Sequence, residues 1–163
     1  MLMETRSLVG DLLHNGPMAD PNVRYQELIA ALKERAYRLT PQRVELLRLI
    51  AASHGHPNAS QLQARMKDRF PTMSPATVYK TLALLKDLNQ VLEIDLGGDR
   101  HYDGNRPVPH AHLICTTCGK IADGDLELES SVIRKLERAS GYRLVSPQFT
   151  FYGLCPGCKR RRP

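Results

Sequence analysis

Two short cysteine pairs, Cys115-Thr-Thr-Cys118 and Cys155-Pro-Gly-Cys158, stand 36 residues apart in a chain with no other cysteine. Each C-x-x-C turn aims two thiolates at one point, and four sulfurs at about 2.3 Å from a zinc ion close a tetrahedron with no open position. The pattern predicts one structural zinc per chain, not a catalytic one. Two disulfides or two redox pairs are the alternative. Nothing marks the chain as secreted, and no βαβ pattern surrounds a lone C-x-x-C, so zinc is the better reading. A cytidine-deaminase site would need a His-x-Glu partner and a proline before the first cysteine of its pair, and the sequence offers neither.

The 163 residues, 42% apolar and 25% charged, suffice for one domain or two small ones. The first apolar stretch, Leu8 to Leu13, is broken by Gly10 and Asp11, and no run reaches the roughly 18 apolar residues of a membrane span. No secretory signal or membrane partner is expected, and the expected compartment is the cytoplasm. The net charge of +6 favours a polyanionic partner. Residues 22–90 carry 11 basic side chains against 5 acidic ones, residues 1–21 carry 1 against 3, and residues 91–163 carry 11 against 9. A polyanion would therefore meet the first half.

Residues 1–21 lack periodicity and read as a flexible N-terminal extension. Leu28, Ile29, Leu32 and Ala36 recur at helical spacing and predict a first helix ending near Tyr37. Thr40-Pro41 supplies a cap hydroxyl and a first-turn proline for a second helix running to about Ser53. His54-Gly-His-Pro57 reads as a turn, and Asn58 with Gln61 resembles a capping box before a third helix. Ser74-Pro75 repeats the cap-then-proline signal before a fourth, whose exposed face carries Thr77, Tyr79, Lys80 and Lys86. Two alternating runs, Val91–Leu96 and Arg100–Asp103, flank Gly97-Gly98-Asp99 as in a hairpin. Short capped helices followed by a hairpin predict a winged helix-turn-helix over 22–104.

Pro107 and Pro109 mark a hinge, 105–109. Beyond it, strand-like 112–114, a helix at about 126–140 and strand-like 142–145 and 148–154 predict a small β-α-β-β domain over 110–163, so the whole is an α+β chain. Both cysteine turns fall in this second domain, and a small domain gains most from such a clip. His110-Ala-His112 precedes the first cysteine pair, and residues i and i+2 of an extended segment share a face. Asp103 on the wing strand, two residues after His101, and Asp123 beyond the first cysteine turn add carboxylates without any thiolate. Such nitrogen and oxygen sets suit an exchangeable iron, manganese, nickel or zinc ion.

Arg38-Leu-Thr-Pro-Gln-Arg43, Phe70-Pro-Thr-Met-Ser-Pro-Ala-Thr-Val-Tyr-Lys-Thr-Leu82, His110-Ala-His-Leu-Ile-Cys-Thr-Thr-Cys-Gly-Lys120 and Tyr152-Gly-Leu-Cys-Pro-Gly-Cys158, in this order, resemble the ferric uptake regulator family of bacterial metal-dependent repressors over about residues 24–160. The resemblance implies a homodimer, an N-terminal winged helix, a C-terminal dimerisation domain with a four-cysteine zinc, and a regulatory divalent ion (Fe2+, Mn2+ or Zn2+) at the hinge. By position, Asp103, His110, His112 and Asp123 match the family's hinge ligands. Aspartate at both acidic positions looks more like the peroxide-sensing branch than the iron-sensing one. That branch and the iron-sensing one place a histidine directly after the Pro-Gln-Arg motif, where this chain has Val44. Two substitutes are visible: Glu93 at the start of the wing, similar in position to an acidic ligand of the zinc-sensing branch, and His101, on the strand face of Asp103. Pro147 stands about where the last histidine of a further family site would be.

The implied mechanism is a metal-loaded homodimer whose two recognition helices enter successive major grooves of a palindromic operator. Tyr79 would contact a base or thymine methyl, Lys80, Arg43, Arg38 and Lys33 would meet phosphates, and Thr77 belongs to the same DNA-binding set. A zinc- or manganese-sensing member is the alternative, and a constitutive zinc-ribbon nucleic-acid adaptor is a third reading. No nucleophile–base constellation marks an enzyme, and no catalytic residue is assigned.

Overall fold

The computed structural model describes residues 20–105, 110–124, 130–144 and 148–161. The expected extension therefore lies, apart from Asp20 and Pro21, outside the described residues, as do Pro147 and most of the expected hinge. The chain divides into two compact units meeting in sequence near Pro109. No helix of the described residues is long and apolar enough to cross a membrane.

The first unit is four helices and a hairpin: α1 (Pro21–Glu34), α2 (Pro41–Ala51), α3 (Ala59–Met66), α4 (Pro75–Asp87), β1 (Leu92–Asp95) and β2 (Arg100–Asp103). Capping chemistry sets the starts. The Asp20 carboxylate accepts from Asn22 N–H, and Thr40 accepts from Arg43 N–H. Asn58 and Gln61 exchange bonds of 2.8 and 3.0 Å in a full capping box. Ser74 makes no cap bond; its hydroxyl lies 3.3 Å from that of Thr77, so Pro75 alone sets that start. Leu28 and Leu32 from α1, Leu46, Leu47 and Ile50 from α2, Leu62 and Met66 from α3, and Val78, Leu82 and Leu85 from α4 form one core, closed by Val91 and Tyr102.

Helix α1 stops three residues short of the expected end. Tyr37 N–H donates to the Leu32 carbonyl and Ala36 N–H to the Lys33 carbonyl, with Ala36 at φ +58. This is a Schellman cap with alanine where glycine fits best. Ala36→Gly should therefore raise stability by about 1 kcal/mol, read as a higher urea midpoint at unchanged slope.

The second unit contains β3 (Ala111–Cys115), β4 (Ile121–Gly124), α5 (Ser130–Ser140), β5 (Phe149–Gly153) and α6 (Pro156–Arg161). Its sheet order is β4-β3-β5, with β3 antiparallel to β4 and parallel to β5. The strand order differs from the expected β-α-β-β: two strands, β3 and β4, fall before the helix, and residues 142–144 form none, while Val145 lies outside the described residues. The reason is local. Gly141, at φ +73, ends α5, and Leu144 N–H donates to the Glu137 carboxylate at 2.8 Å instead of to a strand. Ile121–Gly124 carries too weak an alternation to announce itself, yet the tight turn after β3 delivers it straight to that strand's edge.

Candidate metal centres and nucleic-acid face

The cysteine cluster is built by strand register. Parallel pairing sets Cys115 beside Gly153, so Cys155 emerges two residues beyond the same end of the sheet. Cys118 returns in the turn between β3 and β4, where Gly119 adopts φ +69 and donates to the Cys115 carbonyl at 2.9 Å, a conformation that favours glycine. Cys158 lies in the first turn of α6, its N–H 3.4 Å from the Cys155 sulfur. The four sulfurs lie within 4.8 Å of one another, and Cys118 and Cys155 are 3.7 Å apart. Sulfurs on a zinc tetrahedron are separated by about 3.8 Å. All four thiols are free of disulfide bonds. Backbone N–H groups, that of Cys155 foremost, lower the Cys115 thiol to about 6. Hydrogen bonding among the sulfurs, chiefly with Cys118, pushes Cys158 up to about 12. Four thiolates this close require a cation, and zinc fits the donor set.

A second set of ligand atoms sits on β3 and β4 and just before them. His112 pairs in register with Asp123. The Asp123 Oδ1 lies 3.2 Å from His110 Nε2 and 3.9 Å from His112 Nε2, and the two imidazoles are 4.3 Å apart. Both histidines are buried. In the first unit, Asp103 ends β2 with its carboxylate buried, 4.0 Å from Nε2 of His56. Sequence reading assigned His56 only to a turn.

The local fold explains its place. His101 Nδ1–H donates to the His56 carbonyl at 2.6 Å, Tyr102 N–H donates to the Pro57 carbonyl at 3.0 Å, and Asn58 bridges to His101. The turn is thus pinned to β2 through a single isolated bridge. Asn105 N–H donates to Asp103 Oδ1 at 3.0 Å. Glu93 and His101 join neither set: Glu93 lies 2.7 Å from Lys86 and 4.0 Å from Arg100, while His101 spans the His56 carbonyl and Asp99. Val44 is half-buried on α2.

On α4, Tyr79 and Lys80 are exposed, and Thr77 is half-buried. Lys33 and Arg38 are exposed around the α1–α2 connection, and half-buried Arg43 donates to the Arg38 carbonyl.

Comparison with known proteins agrees with this architecture. The model of the Ferric uptake regulator family matches residues 34–152. The chain is 36% identical over 137 residues to the ferric uptake regulation protein of Synechococcus elongatus, covering 82% of this chain and 93% of that one. It is 33% identical over 135 residues to the peroxide-responsive repressor PerR of Staphylococcus epidermidis, covering 82% and 89%. Among solved structures, a zinc uptake regulator complexed with zinc and DNA is similar, with TM-score 0.66 and 25% identity over 86% of this chain and 96% of that one. The Helicobacter pylori ferric uptake regulator shares the fold, with TM-score 0.70 and 19% identity over 87% and 95%. A match across most of the chain, carried on a winged helix followed by a four-cysteine sheet unit, shows that the chain belongs to the ferric uptake regulator family.

Proposed function

We propose that this protein is a metal-responsive, DNA-binding transcriptional repressor that acts as a cytoplasmic homodimer and not as an enzyme. Residues 22–104 serve as the DNA-binding domain, 105–109 as the hinge and 110–163 as the dimerisation and metal-binding domain. The observation that carries the reading is the existence of two incomplete ligand sets on either side of that hinge. His56 and Asp103 are one, and His110, His112 and Asp123 the other. Six residues separate Asp103 from His110, a tether of at most about 25 Å.

These five residues would hold one divalent iron, manganese or zinc ion through nitrogen and oxygen alone. A bound ion supplies the positive charge that lets three imidazoles and two carboxylates share one point. Sharing it fixes the winged helix, and with it α4, against the dimerisation unit, so the loaded form is the one whose two α4 helices match an operator. On α4, Tyr79 and Thr77 face bases, while Lys80, Arg43, Arg38 and Lys33 meet phosphates, so binding weakens steeply with salt. Exposed Val132 and Leu136, one turn apart on α5, offer apolar surface that a second copy covers.

The test is a titration of a duplex selected from a random pool, using protein stripped of its hinge ion or reloaded with Fe2+, Mn2+ or Zn2+. At least about tenfold tighter binding with the cognate ion is expected. Equal affinity in every state overturns the reading in favour of a constitutive adaptor. A peroxide response is the second reading, favoured by aspartate at both acidic positions, Asp103 and Asp123. It is supported if hydrogen peroxide releases ferrous-loaded protein with gain of oxygen at His110 or His112, and opposed if binding survives.

A further inference from the structure

Arg24 is the largest side chain in the first unit's interior that is not apolar. It lies on α1 and is 1% exposed. Its Nε–H donates to the Gly104 carbonyl at 2.7 Å. One Nη donates to Glu27 at 2.9 Å and to the Gln90 side-chain oxygen at 3.2 Å, and the other donates to the Gln90 carbonyl. These partners belong to separate parts of the unit. Gln90 closes the C-terminal end of α4, its N–H donating to the Leu85 carbonyl at 2.7 Å. Gly104 directly follows Asp103 at the end of the wing.

The Gly104 backbone has little room to respond to a pull by itself. A Cβ there would come within 2.1 Å of Ile50 Cγ2, so the chain runs pressed against α2. Asn105, next along, ties Asp103 Oδ1 through its N–H and the Ala51 carbonyl through its side chain at 3.3 Å. A guanidinium is planar and stiff, and its bonds to two carbonyls move as one body. An apolar side chain would fill the same space without burying a cation, so space-filling does not account for the residue.

We propose that Arg24 is a positioning residue that couples Asp103 to the recognition helix, because one rigid guanidinium holds both the carbonyl after Asp103 and the carbonyl that closes α4. The inference rests on the hinge-ion reading above and names the part of the chain through which that ion's occupancy reaches α4. Linkage makes the effect reciprocal: DNA on α4 strengthens ion binding at Asp103 by the same factor.

The experiment compares the wild type, Arg24→Lys and Gln90→Ala as full-length chains. It measures the Kd for the selected duplex without Mn2+ and with saturating Mn2+. Lysine keeps the charge, but a single ammonium cannot span both carbonyls; Gln90→Ala removes one acceptor at a half-buried position. The ratio of the two Kd values should fall about tenfold or more in Arg24→Lys, and about threefold in Gln90→Ala, with the Mn2+-free Kd within about threefold of wild type. A merely structural Arg24 would lower the thermal midpoint and shift both Kd values together, leaving the ratio intact, and that result overturns the proposal. Should Arg24→Lys fail to fold, Arg24→Met, which removes both carbonyl bonds while filling the space, decides by the same ratio. A wild type with no Mn2+ response, and none to Fe2+ or Zn2+, overturns the hinge-ion reading itself; a responsive wild type with equally responsive variants overturns only the role of Arg24.

Discussion

Cys118→Ala or Cys158→Ala should abolish the folded state of the second unit, and the dimer with it, while the first unit keeps its helices. The sheet of that unit has three short strands, and β5 is exposed along most of its length. Its α5 also leaves Val132 and Leu136 about half exposed. Little apolar burial therefore holds the unit together, and the ion joining the end of β3 to the start of α6 supplies the difference. Structural zinc sites in small peptides contribute about 10–16 kcal/mol of apparent binding free energy at neutral pH, more than the typical stability of a domain. Removing one of four thiolates should thus reduce zinc content well below one per chain and give a monomer by sedimentation. The first unit, with its own core of leucines from four helices, should still melt cooperatively. A stable zinc-free dimer of either variant would end the structural-zinc reading.

The same cluster predicts a direction with pH. Without the ion, Cys158 keeps its proton to about 12, whereas Cys115 has lost its proton above about 6. Zinc requires thiolates, so binding at neutral pH expels at least the Cys158 proton. Affinity then rises about tenfold per pH unit for each proton released and falls as the solution is acidified. Competition with a chromophoric chelator between about pH 6.5 and 8.5 measures the slope.

How far the sequence reveals this molecule depends on whether each signal is local. Caps are local: Thr40-Pro41 and the Asn58/Gln61 box mark helix starts that the structure repeats, because a side chain three residues from its target needs no tertiary context. Cysteine spacing is nearly as local, since each turn fixes two sulfurs. Strand β4 is different. Ile121-Ala-Asp-Gly124 has no β-branched run, and only its partner β3 makes it a strand. His56 was missed for a related reason. His-Gly-His-Pro carries strong turn chemistry, and nothing in it reveals that β2 captures the turn through the His101 ring and the Tyr102 N–H. The missing histidine at Val44 drew attention to the wing residues Glu93 and His101, whereas the imidazole facing Asp103 comes from a loop more than forty residues earlier. Burial of a charged residue such as Arg24 is the least legible of all, because helix α1 shows only that the position falls one turn before Leu28.

His56→Ala should remove the metal-dependent gain in DNA affinity without unfolding the protein. The side chain is buried beside Asp103, but it lies in a loop and contributes nothing to the leucine core. Loss of the ligand proposed at His56 should exceed the roughly 10–100-fold cost of losing an outer partner, so the proposed hinge site should bind Mn2+ more than about 100-fold more weakly. His101→Ala should fall within that outer-partner range, because His101 grips the His56 carbonyl and not the ion. Glu93→Ala should leave Mn2+ binding unchanged, since its carboxylate serves Lys86 and Arg100 on the wing. Isothermal titration of zinc-replete dimers with Mn2+ separates the three. The graded order His56, His101, Glu93 follows from where each side chain points. An order with Glu93 first would return the hinge ligand to the wing and remove His56 from the site.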